Sequence, residues 1–238
     1  MIAPALADQT VAVFGGSSGI GLATAQAAHA LGANVTIASR SAIRLREAAN
    51  AIGGAETAAL DIRDADAVRR FFEQRHPFDH IVVSAAELAV GPLRKRSLAD
   101  ERAAMDSKFW GAVHVAHAAR IRPGGSLTLV SGMIGVRPTG GATMLSAINA
   151  AIDALAKALA TEMAPIRINC VSPGRIETAW WDFLPAADRQ ALFDRTAAAL
   201  PLKRIGRAEE VAAQIVHLMQ NGFMTGSVVL VDGGGSVA

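Results

Sequence analysis

A chain of 238 residues with a formal net charge of +2 is long enough for one large α/β domain and too weakly charged to imply a nucleic-acid partner. Apolar residues make up 51% of it, yet its richest stretch, Met144 to Ala164, is broken by Asp153, Lys157 and Glu162 and reads as a buried helix, not a membrane span. A single cysteine, Cys170, excludes an internal disulfide and a cysteine-built zinc site; with no secretory signal in Met1 to Gln9, a cytoplasmic location and no metal site are expected.

Short apolar runs alternate with stretches of helical spacing. The first run, Val11–Phe14, leads through Gly15-Gly16-Ser17-Ser18-Gly19-Ile20-Gly21 into a helix over Gly19–Leu31. A glycine loop at this place has a physical task. Gly15 permits a tight turn, bare backbone lets a pyrophosphate approach, and Gly21 lets the helix pack closely. The amide end of the helix then favours the phosphates. The second strand, Asn34–Ser39, ends in Ser39-Arg40-Ser41. An acidic residue there would bind ribose hydroxyls and select NAD(H). Arg40 can instead pair with a 2′-phosphate and stack on adenine, which favours NADP(H) over NAD(H). A helix over Ala42–Ala51 and a third strand over Glu56–Leu60 follow, and Asp61-Ile62 is then placed to accept from the adenine amine.

Next come a helix over Ala65–Arg75, a fourth strand over His80–Ser84 and the basic cluster Arg94-Lys95-Arg96, which reads as a solvated loop. The remaining elements are helices over Leu98–Arg120, Gly140–Met163 and Ala208–Gln220 and strands over Ser126–Val130, Ile166–Val171 and Val228–Val231. The segment Thr178–Arg207 carries Trp180, Trp181, Phe183 and Phe193 between a strand end and a helix. It fits a lid over a small apolar or aromatic substrate, and equally a helical excursion that packs its aromatics on the core. Six alternations, with strands that lack a half-exposed pattern, predict one domain over residues 1–238. Its fold class is α/β: a Rossmann-type doubly wound parallel sheet of about seven strands, with helices on both faces.

Taken together, Gly15–Gly21, Asp61, Val82–Ala86, Ala147–Leu155, Ile166–Thr178 and Thr225–Gly234 resemble the short-chain dehydrogenase/reductase family over essentially the whole chain. The resemblance implies that Ser84, Ala85 and Ala86 line the cofactor cleft. It also implies that Pro173, Gly174, Ile176 and Thr178 meet the nicotinamide and its carboxamide. The family's catalytic set is Asn-Ser-Tyr-Lys, but this chain contains no tyrosine. Aligning Ala151-Ile152-Asp153-Ala154-Leu155 with the family helix places Leu145 at the tyrosine and Asn149 at the lysine, with Gly132 at the serine beside Ser131. Lys108-Phe109-Trp110-Gly111 resembles the family's Asn-x-x-Gly, so Lys108 stands at the asparagine.

If those helices pack side by side, Lys108 and Asn149 exchange an ammonium and an amide near the nicotinamide ribose. Lys108, Ser131 and Asn149 are therefore the candidate catalytic residues. Lys108 is also a candidate to hold the ribose and, with a depressed pKa, to supply the proton; Glu87 is a second, poorer acid. The alternative places Lys108 at the surface or in an interface. An NADP(H)-dependent oxidoreductase of a carbonyl or alcohol is the leading expectation, with an NADP(H)-binding protein lacking hydride transfer as the alternative. The long helices imply a homodimer or homotetramer.

Overall fold

The computed structural model describes residues 5–87 and 90–238, so the first four residues of the Met1–Gln9 segment lie outside it. Seven parallel strands form one sheet in the order β3-β2-β1-β4-β5-β6-β9. Their ranges are β1 Thr10–Phe14, β2 Asn34–Ser39, β3 Glu56–Ala59, β4 Phe78–Val83, β5 Ile121–Val130, β6 Arg167–Pro173 and β9 Val228–Val231. The side-chain alternation of β1 shows why the sheet is covered twice. Val11 and Val13 pack on one face with α1 (Gly19–Ala30), α2 (Ala42–Ile52) and α8 (Ala208–Gln220). Ala12 and Phe14 pack on the other with α3 (Ala65–Glu73), α5 (Gly111–Ala118) and α6 (Thr143–Glu162). Phe14, Phe71, Phe72 and Phe78 pack edge to face, tilted or parallel in that second layer, their ring centres 5.1–6.3 Å apart.

Helix α6 is long and apolar enough to cross a membrane, but it lies against the sheet with Ile148, Ile152 and Ala156 fully buried. Strand order reverses between β1 and β4, which opens a crevice at their carboxyl ends.

Three features differ from the sequence expectation. Strand β3 is an edge strand with mostly exposed side chains, so it is not covered on both faces. The helix expected over Leu98–Arg120 is three pieces: α4 (Leu98–Met105), a π-helical turn over Asp106–Trp110, and α5. One extra residue per turn does not disturb the apolar periodicity enough to show in the sequence, and such π turns often mark functional positions. The aromatic segment is a 3-10 turn over Ala179–Phe183 and helix α7 (Ala186–Ala199), bracketed by a two-stranded parallel ladder of β7 (Ile176–Glu177) and β8 (Gly206–Arg207).

Candidate active site

The glycine loop is jammed against the end of β4. Gly15 has φ +87°, and a Cβ there would sit 2.6 Å from the Ala85 nitrogen. A Cβ on Gly21 would stand 2.2 Å from the Gly15 carbonyl oxygen and 2.5 Å from Ser84 Oγ. Ser84 is held in turn by its N–H and hydroxyl, both donating to the Phe14 carbonyl. Ser84, Ala85 and Ala86 are thus the small wall on which the loop closes. At the start of α1, Ser18 is exposed and extended, its hydroxyl caps nothing, and the first turn holds no carboxylate. The amides of that turn are left for an external anion. Thr178, at the root of the aromatic segment, brings its methyl 3.3 Å from a Cβ built on Gly19. The residues present therefore fit a dinucleotide pyrophosphate: Gly15 and Gly21 keep the cradle open, Ser17 to Ile20 carry its amides, and Thr178 closes it.

The ends of β2 and β3 beside the glycine loop are charged. Arg63 donates to both carboxylate oxygens of Asp61, which holds the Asp61 carboxyl below the usual carboxylate range. Glu87 Oε2 lies 2.9 Å from Arg40 Nη1 and 3.5 Å from Arg63 Nη1. Its carboxylate is thus engaged by two arginines from the ends of β2 and β3. Ile62 also departs from expectation, because its side chain is buried in the core against Gly111 while its carbonyl accepts from the His114 ring. The basic cluster is part structure: Arg96 pairs with Glu101, itself buried, at 2.8 Å.

The next part of the site is built on the π turn. Lys108 is only 7% exposed, so the surface alternative is excluded. Its ammonium donates to the Ser131 carbonyl at 2.7 Å and to Asn149 Oδ1 at 2.6 Å. Lys108 and Asn149, which the sequence expects side by side, therefore touch. A Cβ on Gly132 would come within 2.7 Å of Asn149 Nδ2, so the Asn149 amide fills the space a serine side chain would need. Glycine at 132 and asparagine at 149 are one steric solution.

Leu145 is buried one helical turn before Asn149. The Ser131 and Ser146 hydroxyls are buried with no hydrogen-bond partner among the described residues. Behind Lys108, Cys170 donates its thiol to Asp153 Oδ1 at 3.4 Å. Burial lowers the Lys108 pKa to about 8, opposed by Cys170 and Asp153. Burial also pushes the Cys170 thiol up to about 12. The thiol is therefore neutral where Lys108 titrates, and Asp153 supplies the opposing charge.

The aromatic segment packs largely on itself. Trp180 and Trp181 meet edge to face with ring centres 4.3 Å apart, and Phe183 and Phe193 join them. Trp181 donates to the Ile176 carbonyl at 2.9 Å, and the Arg175 guanidinium lies over its ring. Phe183 remains 62% exposed. A cleft of about 340 Å³ is lined by Glu177, Thr178, Ala179, Asp182, Arg189 and Phe193 and not by Lys108; Thr178 also borders Gly19 of the glycine loop. Pro173 is buried in β6, and Gly174 is pressed against Asp232 of the tail.

The chain as a whole is similar to known proteins. The model of the family described as Enoyl-(Acyl carrier protein) reductase matches residues 15–236. The 3-oxoacyl-[acyl-carrier-protein] reductase of Rattus norvegicus is 31% identical over 237 residues, covering 95% of this chain and 98% of that protein. A small-chain dehydrogenase solved in complex with NADPH is 35% identical, with a TM-score of 0.87 over 97% of this chain and 100% of that one. L-Sorbose reductase from Gluconobacter frateurii, solved with NADPH and L-sorbose, is 25% identical with a TM-score of 0.91 over the full length of both. With its crevice, glycine loop and tail accounted for along nearly its whole length, the chain belongs to the short-chain dehydrogenase/reductase family.

Proposed function

We propose that this protein is an NADP(H)-dependent oxidoreductase of a carbonyl/alcohol pair in which Lys108 replaces the family's tyrosine as proton donor. The carrying observation is the buried Lys108 ammonium, fixed by the Ser131 carbonyl and by Asn149, one helical turn beyond Leu145. When bound, the cofactor supplies the hydride and a ribose hydroxyl. Reduction of a carbonyl also needs a proton on its oxygen, and Leu145 has none to give. The ammonium has three N–H donors, two of them engaged, so one remains for the ribose or the substrate oxygen. A pKa of about 8 makes it a usable acid near neutral pH, as an ordinary lysine would not be. After the transfer the amine is neutral and recovers its proton from water.

NADP(H) is favoured by Arg40 and by the small-chain dehydrogenase solved with NADPH. The substrate proposed is a small apolar or aromatic carbonyl compound beside Trp180, Trp181 and Phe183. Exposed Leu98 and Trp110, on α4 and the π turn, favour pairing of these helices in a homodimer or homotetramer.

The test is to titrate NADPH and NADH by fluorescence, then to follow nicotinamide absorbance over a carbonyl panel. The reading predicts NADPH binding and turnover with at least one carbonyl. Tight NADPH binding with no oxidation by any of them supports the alternative, a protein that holds the reductant without using it.

A further inference from the structure

Glu87 carries a carboxylate that neither hydride nor proton transfer uses. Its backbone is pinned by its N–H to Ser107 Oγ at 2.7 Å, and its side chain is about half exposed. The same oxygen, Oε2, is approached by Arg40 Nη1 at 2.9 Å and by Arg63 Nη1 at 3.5 Å. The three residues come from three separate strand ends. Arg40 follows β2, Arg63 follows β3 and Glu87 follows β4, while β1 and its glycine loop lie between β2 and β4 in the sheet. The Arg40–Glu87 pair therefore spans the carboxyl end of β1, across the crevice in which the adenosine half of a dinucleotide has to lie. Arg63 keeps a second anion, Asp61, whichever way Glu87 turns. Arg40 pairs with no other carboxylate among the described residues.

The geometry points to a two-arginine anion site made by Arg40 and Arg63, on which the Glu87 carboxylate stands in for the cofactor's 2′-phosphate until the phosphate displaces it. This rests on the NADP(H) reading above and adds two residues to it. Arg63 becomes a phosphate ligand, and Glu87 becomes an internal competitor that sets how tightly the phosphate is held. The exchange is chemically plausible in one direction only. A phosphate monoester carries nearly two charges near neutral pH and three acceptor oxygens, so it can engage both guanidinium groups where one carboxylate oxygen does so now. The exposed pair it replaces is weak and screened by salt. A 2′-hydroxyl brings no charge and has no means of displacing Glu87 from Arg40. Nucleotides without the phosphate should therefore bind with the pair in place and be indifferent to it.

The experiment measures the affinities of adenosine 2′,5′-bisphosphate and ADP by titration calorimetry for the wild-type protein, Glu87→Gln and Arg63→Met. Glutamine keeps the shape of the side chain and removes the charge. The inference predicts that E87Q binds the bisphosphate about two- to fivefold tighter, the range expected for removing one exposed competing charge. ADP affinity should stay within about twofold. R63M should lose a similar factor for the bisphosphate relative to ADP. An unchanged bisphosphate affinity in E87Q overturns the inference. So does a loss of ADP affinity in E87Q, which would make Glu87 an acidic reader of ribose hydroxyls. The NADP(H) reading is judged separately by the wild-type protein: equal affinity for the two nucleotides contradicts it. A bisphosphate preference that emerges only in E87Q would still uphold the two-arginine site.

Discussion

The two ends of one crevice have been treated differently. At the β1/β4 end, backbone does the work: Gly15 and Gly21 leave no room for a Cβ, and the first turn of α1 is uncapped by any side chain. At the Lys108 end, side chains do the work: a buried ammonium, the Asn149 amide and the Ser131 carbonyl close on one another. Backbone recognition of a pyrophosphate tolerates little variation, because the constraint is steric contact with main-chain atoms. Side-chain chemistry can be moved to another element provided the charges and volumes still close. Here the ammonium stands on the π turn and the amide on α6, and Gly132 makes room for the amide.

The strongest test of that division is Lys108→Met. It should cost about 10²–10⁴ in the rate of carbonyl reduction, the usual worth of a general acid, while NADPH affinity changes only a few-fold. Equal losses in both would mean that the two ends are not separable.

A second test works on the scaffold alone. His80, in β4, is buried between Ser126 Oγ and Gln9 Oε1, and burial lowers its pKa to about 4. The imidazole is therefore neutral in the fold, and the unfolded chain binds its proton first. Stability from this group is complete above pH 6.5 and falls as the pH drops from 6.5 toward 4, by about 3 kcal/mol in all. Chemical denaturation across that window should show the slope, and His80→Gln should flatten it. A slope unchanged in the variant would assign the acid sensitivity elsewhere.

The third and smallest effect concerns the steric solution itself. Gly132→Ser alone should destabilise the protein by about 1–3 kcal/mol, because the new Cβ meets the Asn149 amide. In an Asn149→Ala background the same Gly132→Ser change should cost little further stability in thermal melts. Additive losses in the double variant would refute the coupling.

Much of this could be read from the chain, for identifiable reasons. β1 and the glycine loop announce themselves because they are contiguous, and β2 and β9 fall where the apolar runs put them. The meeting of Lys108 with Asn149 followed only from the family resemblance, since the pair is 41 residues apart. What stayed hidden is of two kinds. Local geometry with a weak sequence signal includes the π turn, where one added residue hardly shifts the periodicity, and the two-residue ladder of β7 and β8. Long-range pairing includes Arg40 and Arg63 converging on Glu87 from 47 and 24 residues away, and the fit of Gly132 to Asn149.

The central claim is that the proton has changed owner from a tyrosine to Lys108. It is tested most directly by the pH dependence of NADPH oxidation with a saturating carbonyl substrate, in the wild-type protein and in Asp153→Asn. The account predicts a rate that falls as the pH rises through about 8, where the Lys108 ammonium loses its proton. In D153N that limb should move to lower pH, because the carboxylate that favours the charged amine is gone. A limb that stays in place in D153N, or NADPH that is held and never oxidised, would contradict it.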